Sequence, residues 1–169
     1  MRKSEFIVVC CVLICLLANQ QVSAACFYIP GENPEAEIRS AVDESTEVVV
    51  GKVIGFEYRK GVHQPYLDLL ETLGVERPRE YETLVAKLKV LQRWKGMKES
   101  EIFIVTDEMR LPDNRRTGLV DGFHFSAGES YLIFASGKAE ELRVSPCGRS
   151  RQLARAGDEL KILGKLYQS

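Results

Sequence analysis

Hydrophobic and polar residues alternate along much of this chain with the period of two that is typical of β-strands. The alternation is clearest in residues 81–94, where lysines at positions 87 and 89 face away from the apolar side chains. That apolar face consists of Leu84, Ala86, Leu88 and Val90. The pattern predicts a strand with one face on a core and the other in water.

Four further segments are rich in β-branched and aromatic residues and predict strands at 46–58, 101–106, 128–135 and 141–144. Gly51 and Gly55 interrupt the first of them and indicate bulges, as in a strand that curls around a small barrel. The polar segment 107–118 contains Pro112-Asp113-Asn114 and predicts a loop.

Three segments have helical features instead. Asn33 and Pro34 predict a helix start, because Asn caps well and Pro suits the first helical position. An insertion at about 61–78 contains a second helical pattern, which Gly74 can end. The chain closes with an apolar helical face formed by Leu160, Leu163 and Leu166, for which Asp158 is the expected cap. Together, the pattern predicts a mainly β protein: a five-stranded OB-fold barrel with flanking short helices.

The first 25 residues have the pattern of a signal peptide. A basic start at Arg2 and Lys3 precedes an uninterrupted apolar run over 7–17 and small residues up to Ala25. The run is shorter than the roughly 20 residues that a spanning helix needs, although an N-terminal membrane anchor is the alternative. Cleavage after Ala24, cleavage after Ala25 and lipid attachment at Cys26 all remain open. We therefore expect a secreted or periplasmic protein of the cell envelope.

The remaining residues, 26–169, are enough for one domain with its own core. The composition, 45% hydrophobic and 28% charged, is ordinary for a globular protein. Loss of Arg2, Lys3 and Glu5 with the leader changes the net charge from −1 to −2. Such a nearly neutral domain has no general attraction to nucleic acid or anionic lipid, and either role would need a local patch.

Three of the five cysteines lie inside the leader, so residues 26–169 keep only Cys26 and Cys147. In an oxidising compartment we expect these two to form a disulfide. Unpaired thiols are the alternative. The two cysteines, together with His63 and His124, do not have the spacing of a zinc site, and no metal or cofactor is expected.

No segment matches a nucleophile elbow, a phosphate-binding loop or a metalloprotease helix, and no carboxylate pair stands out. His124 lies between two phenylalanines, a setting more typical of a structural histidine. We therefore expect no enzyme activity and no catalytic residues. The basic tail, with Arg149 and Arg151 among its members, is interpreted as a solvated face rather than a nucleic-acid site.

Several short motifs, in their order and spacing, resemble the tissue inhibitor of metalloproteinases (TIMP) and netrin-module superfamily, in particular its small bacterial members. They cover nearly all of residues 26–169 apart from the insertion. The motifs are Cys26, Val50-Gly51-Lys52-Val53, Trp94-Lys95-Gly96, Gly122-Phe123, the segment 128–135, Cys147-Gly148-Arg149-Ser150, and the tail from Asp158 to Gly164.

The resemblance implies an OB barrel, and Cys26–Cys147 corresponds to the second N-terminal disulfide of the animal inhibitors. Their first disulfide is missing, since its positions hold Ala24 and Asp121. Those inhibitors chelate the protease zinc with the terminal amine and first carbonyl, and the second side chain enters the specificity pocket. Of the possible starts only Cys26 fits that mechanism, with Phe27 as the pocket residue.

The resemblance therefore implies an exported, non-enzymatic binding module with a protein partner. Cys26, Phe27 and Tyr28 are the candidate partner-binding residues. The alternative is a metalloprotease inhibitor whose N-terminus acts as a zinc-chelating wedge. A nucleic-acid partner is not expected, and a membrane is expected only if Cys26 is lipidated. A third possibility is an oligosaccharide- or nucleic-acid-binding barrel, which an exposed aromatic row on the second and third strands would favour.

Overall fold

The protein is mainly β in this computed structural model, which describes residues 33–61, 67, 71, 72, 74, 80–118 and 122–167. Two helices that are described in full and a short 3-10 turn at Leu153–Arg155 accompany the strands. The helices are α1 (Pro34–Glu44) and α2 (Gly157–Tyr167). The strands are β1 (Glu47–Lys60), β2 (Glu82–Lys95), β3 (Glu101–Arg110), β4 (Arg116–Gly118), β5 (Ser130–Ser136), β6 (Leu142–Val144) and β7 (Arg151–Gln152).

Five of these strands close into a ring. β1, β2 and β3 pair antiparallel in sequence order, β3 pairs parallel with β6, and β6 pairs antiparallel with β5. β5 then pairs antiparallel with β1 and completes the ring. β4 pairs antiparallel with the end of β3, and β7 pairs antiparallel with β5, both outside the ring.

Glycines shape β1 as the sequence predicts. The register with β2 shifts next to Gly51 and again next to Gly55, so both lie at bulges. A Cβ on Gly51 would lie 2.9 Å from the Leu88 side chain, which is closer than van der Waals contact allows. The missing side chain therefore lets β1 pack closely across the ring interior.

The apolar core has two parts, on the two faces of β1 and β5. One fills the ring, where Val49 and Val53 pack with Leu88, Ile104 and Ile133. The other lies outside the ring, where Val48, Val50 and Leu132 pack under the two helices. The first half of β1 is thus buried on both faces, which explains its unbroken run of valines.

Helix α1 begins as its sequence predicts. The Asn33 side chain accepts a hydrogen bond from the Ala36 amide at 3.1 Å, and Pro34 occupies the first turn. The prediction that Asp158 caps the last helix is wrong, because α2 already begins at Gly157. Asp158 lies in the first turn, where its charge still favours the helix dipole.

Two predictions about the sheet are also wrong. The segment 107–118 is not a loop throughout, because β3 continues to Arg110 and a tight turn leads into β4. Asn114 takes a positive φ of 64° in that turn. The second face of β2 is not fully in water, because Thr83 and Val85 are both 0% exposed.

Several predictions concern residues outside the described ranges. These include the signal peptide at 1–25 and most of the insertion at 61–78. Within the insertion, Leu67, Glu71 and Thr72 are helical and Gly74 takes a φ of +69°, as expected for a helix that Gly74 ends. Among the described residues, no helix combines the length and apolar character needed to cross a membrane.

Candidate functional site

The predicted partner-binding residues Cys26, Phe27 and Tyr28 lie outside the described ranges, so the structure places one end of the expected disulfide. Cys147 lies in the turn after β6, and its side chain is exposed. The residues around Cys147 therefore define the described part of the candidate site.

The turn is fixed to the core through Ser150. The Ser150 hydroxyl accepts a hydrogen bond from the Phe134 amide at 2.7 Å and donates one to the Phe134 carbonyl at 3.3 Å. Phe134 belongs to β5, and Ser150 is buried. The chain after Cys147 is thus held against the ring.

Arg149 fixes the same turn to α1. Its side chain is only 9% exposed and forms an ion pair with Glu37. Arg149 is therefore not part of a solvated basic face, contrary to the prediction. Sequence reasoning missed Glu37 as its partner, because the two residues are 112 positions apart. The motif from Cys147 to Ser150 consequently builds a rigid anchor.

The Trp94-Lys95-Gly96 motif supports the other end of α1. The Lys95 ammonium donates hydrogen bonds to the carbonyls of Val42 and Asp43, at 2.8 and 3.0 Å. A cation at these carbonyls satisfies orphan acceptors and favours the helix dipole. The motif is therefore structural in this chain.

The absence of a side chain at Gly96 leaves room for the Glu47 carboxylate to reach the Met97 backbone amide. Glu47 is fully buried at the start of β1 and accepts a hydrogen bond from the Met97 amide at 2.6 Å. Its second oxygen lies 3.5 Å from the Arg93 Nε atom. A Cβ at position 96 would overlap the carboxylate, and Gly96 also takes a φ of +119°. Only glycine fits here without strain.

A cleft of about 520 Å3 lies beside the Cys147 turn. Ser145 and Gly148, which flank Cys147 closely, line it together with the end of α1 and Asp107 and Arg143. Burial lowers the pKa of Arg143, while the nearby charges of Asp107 and Glu141 act in the opposite direction. The Arg143 guanidinium stays protonated, so the wall of the cleft carries a permanent cation.

A second, smaller cavity of about 290 Å3 lies at one end of the ring. The rings of Phe123 and Phe125 pack against each other in a tilted arrangement with centroids 4.9 Å apart, and both make edge-on contacts with buried Tyr131. Opposite them, Glu108 accepts a hydrogen bond from the Tyr58 hydroxyl at 2.8 Å. Burial, assisted by the Glu108 charge, raises the pKa of Tyr58.

The basic tail is largely engaged within the protein. Besides Arg149, Arg151 pairs with Glu159 at 2.9 Å, and Lys165 pairs with Glu35 at the same distance. The aromatic residues of β2 and β3 are Trp94 and Phe103, and they form no exposed row. Trp94 packs under the helices, and Arg59 lies over Phe103 at 4.2 Å.

The described ranges contain no group of three or more side chains suited to holding a metal ion. The arrangement around Cys147 can hold a short tethered segment beside a charged cleft.

No protein-family model matches the chain, and a search of the curated proteins found no match to it.

Proposed function

We propose that the protein is an exported, non-enzymatic binding module of the OB-fold type that resembles the TIMP and netrin superfamily. A disulfide from Cys26 to Cys147 would tether its N-terminal segment. Phe27 and Tyr28 would then meet a protein partner outside the cell or in its envelope.

The path of the sheet supports the OB-fold. The ring runs β1-β2-β3-β6-β5 and returns to β1, with the only parallel pairing of the described strands between β3 and β6. A five-stranded barrel of OB type is a Greek-key arrangement, in which the last strand returns beside the third. The bulged first strand also supports the comparison, since bulges allow a strand to bend around a small barrel.

The anchoring of the Cys147 turn is the observation that carries the proposed function. Cys147 is exposed, but two residues later Arg149 is paired with Glu37, and Ser150 is bonded to β5. A segment attached at such a point loses little further freedom on binding, because its attachment is already rigid. The tether would therefore present Phe27 and Tyr28 from a fixed position.

The charged groups around the cleft support binding rather than catalysis. Arg149 is held by Glu37, and the Asp107 charge acts on Arg143. These side chains stabilise the fold and the shape of the cleft. An aromatic segment tethered beside them would have the composition of a protein-recognition surface.

Metalloprotease inhibition is the second candidate, and the exposure of Cys147 favours it. A Cys26 bonded there would lie at the surface, where the terminal amine and first carbonyl could reach a zinc ion. An inhibition assay on several zinc proteases would compare protein that starts at Cys26 with protein that carries one additional alanine before it. We expect inhibition only from the first, and equal results from both would contradict the wedge.

Partner binding can be tested by crosslinking in the exporting cells. A photoreactive phenylalanine analogue replaces Phe27 in one variant and Phe56 in a matched control, since Phe56 is 39% exposed at the end of the ring. The proposal predicts a discrete protein adduct from position 27 only. Adducts from position 56 alone would move the binding site to the ring end.

A further inference from the structure

The outer face of β1 and β2 carries an unusual pair of lysines. Lys52 and Lys89 lie directly opposite each other in the antiparallel register, and both are exposed. Neither forms an ion pair with any residue that the structure describes. Neighbouring Lys87, by contrast, is neutralised by Glu101 at 2.8 Å. Like charges directly opposite in a sheet are destabilising, and Glu101, which lies opposite Lys89 on β3, offsets only part of that cost.

Two exposed aliphatic side chains flank the lysine pair. Ile54 is 46% exposed and Leu91 is 54% exposed, and both are without a partner in the register because each lies at a bulge. They follow Lys52 and Lys89 by two residues on antiparallel strands, so they lie on opposite sides of the pair, roughly 13 Å apart. Bulges re-aim side chains, and here they direct two apolar groups into solvent.

The composition of this lysine–aliphatic face indicates its occupant. Protein interfaces are depleted in lysine and depend on tyrosine, tryptophan and arginine anchors. Lysines beside aliphatic side chains are instead typical of surfaces that contact anionic membranes, where the ammonium groups meet headgroups and the apolar groups enter the boundary. The exported chain, with an expected net charge of −2 after loss of the leader, has no general attraction to such a membrane, so the attraction must be local.

We propose that the lysine–aliphatic face binds the surface of an anionic lipid bilayer, with Lys52 and Lys89 on the headgroups and Ile54 and Leu91 at the acyl boundary. This contact is independent of the proposed protein-binding role of the N-terminus. It also needs no lipid at Cys26.

The test is sedimentation of the exported protein with vesicles of phosphatidylglycerol and phosphatidylcholine in equal parts, compared with pure phosphatidylcholine. The variant Lys52→Glu/Lys89→Glu should bind the anionic vesicles at least about thirtyfold more weakly, because the loss of two lysines near the surface accounts for about thirtyfold and the two new carboxylates add repulsion. The control Lys60→Glu/Lys138→Glu makes the same charge change at exposed positions elsewhere and should bind as the wild type does. A lipid attached to Cys26 would bind both vesicle types. A preference for anionic vesicles therefore reports on the lysine–aliphatic face and not on such a lipid.

A second variant, Ile54→Ser/Leu91→Ser, should weaken binding while leaving its dependence on lipid charge in place. Unchanged melting temperatures would show that each variant folds. Three results would overturn the proposal: no preference of the wild type for anionic vesicles, equal losses in the two charge variants, or binding of polyglutamate without binding of vesicles. The last would assign the face to an acidic protein instead.

Discussion

Two arginine–glutamate contacts in this molecule differ in nearly every respect that determines their energy. At the Cys147 turn, Arg149 is 9% exposed and paired with Glu37 from α1. At the end of the ring, Arg116 is 71% exposed and lies 3.8 Å from Glu108. Burial makes a broken pair costly, whereas exposed pairs contribute little because water and salt screen them. The first contact fixes the Cys147 turn to α1, whereas the second leaves Arg116 exposed and loosely held at the edge of the cavity.

Two of the motifs that resemble the inhibitor superfamily, Trp94-Lys95-Gly96 and Cys147-Gly148-Arg149-Ser150, lie on the anchored side of this comparison, whereas Gly122-Phe123 lines the cavity at the ring end. Lys95 and Gly96 hold α1 and the start of β1, while Arg149 and Ser150 hold the turn. The cavity at the ring end, in contrast, includes Glu108 and Arg116 from the segment that the sequence predicts to be a loop. Variants on the two sides should therefore separate clearly in stability.

Gly96→Ala should have the largest effect. Its Cβ would overlap the Glu47 carboxylate, and its φ is +119°, so we expect a loss of about 3 kcal/mol in the free energy of unfolding. Urea unfolding measures this directly. Gly128→Ala is the matched control, because its φ is +81° but nothing lies within 4 Å of its Cβ. It should lose only about 1 kcal/mol, and equal losses would show that Glu47 is not the obstacle.

The variant Arg149→Met should have the next largest effect. We expect a loss of about 2–3 kcal/mol in the free energy of unfolding, since the partly buried Glu37 carboxylate would lose the guanidinium that pairs with it. Arg116→Ala should lose less than about 0.5 kcal/mol. The double variant Glu37→Gln/Arg149→Met should recover part of the loss. If urea unfolding gave similar stability losses for the Arg149 and Arg116 variants, the two contacts would not differ in energy as we expect.

Ser150→Ala should lose about 1–2 kcal/mol, because the Phe134 amide would lose its acceptor in a buried position. Hydrogen exchange at the Phe134 amide should accelerate more than exchange elsewhere in β5. Ser136→Ala removes a hydroxyl from the exposed end of the same strand and serves as its control. An unchanged exchange rate at Phe134 would mean that Ser150 does not hold the turn.

The smallest effect concerns pH at the ring end. Folding raises the pKa of Tyr58 above its ordinary value of about 10, mainly through burial. The folded protein therefore holds this proton more tightly than the unfolded chain does. The stability that it contributes is complete below about pH 10 and is lost as pH rises through the raised pKa. Tyr58→Phe should flatten this alkaline decline in urea unfolding, and an unchanged decline would assign it to other groups.

Local signals in the sequence were sufficient where one segment determines its own structure. Asn33 and Pro34 predicted the start of α1, and Gly51 and Gly55 predicted the bulges of β1. The closed ring of strands agrees with the mainly β prediction. In each case, the backbone preference of a few neighbouring residues decides the outcome.

The sequence did not predict the surroundings of a residue where a partner distant in the chain determines them. Arg149 appeared to belong to a solvated tail because Glu37 is 112 positions away. Thr83 and Val85 appeared to face water because the alternation of β2 does not show what covers its second face. The candidate site has the same limit, since the position of Cys147 beside the cleft depends on α1, β3 and β6 together.

The central proposal is that a disulfide tethers Cys26 to Cys147 and would hold the N-terminal segment beside the cleft. Its most direct test is mass spectrometry of the exported protein, intact and after digestion, without reduction. The account predicts a chain that starts at Cys26 or Ala25 and one peptide pair in which Cys26 is joined to Cys147. A Cys147 thiol that reacts with an alkylating reagent, or an acyl mass on Cys26, would contradict it.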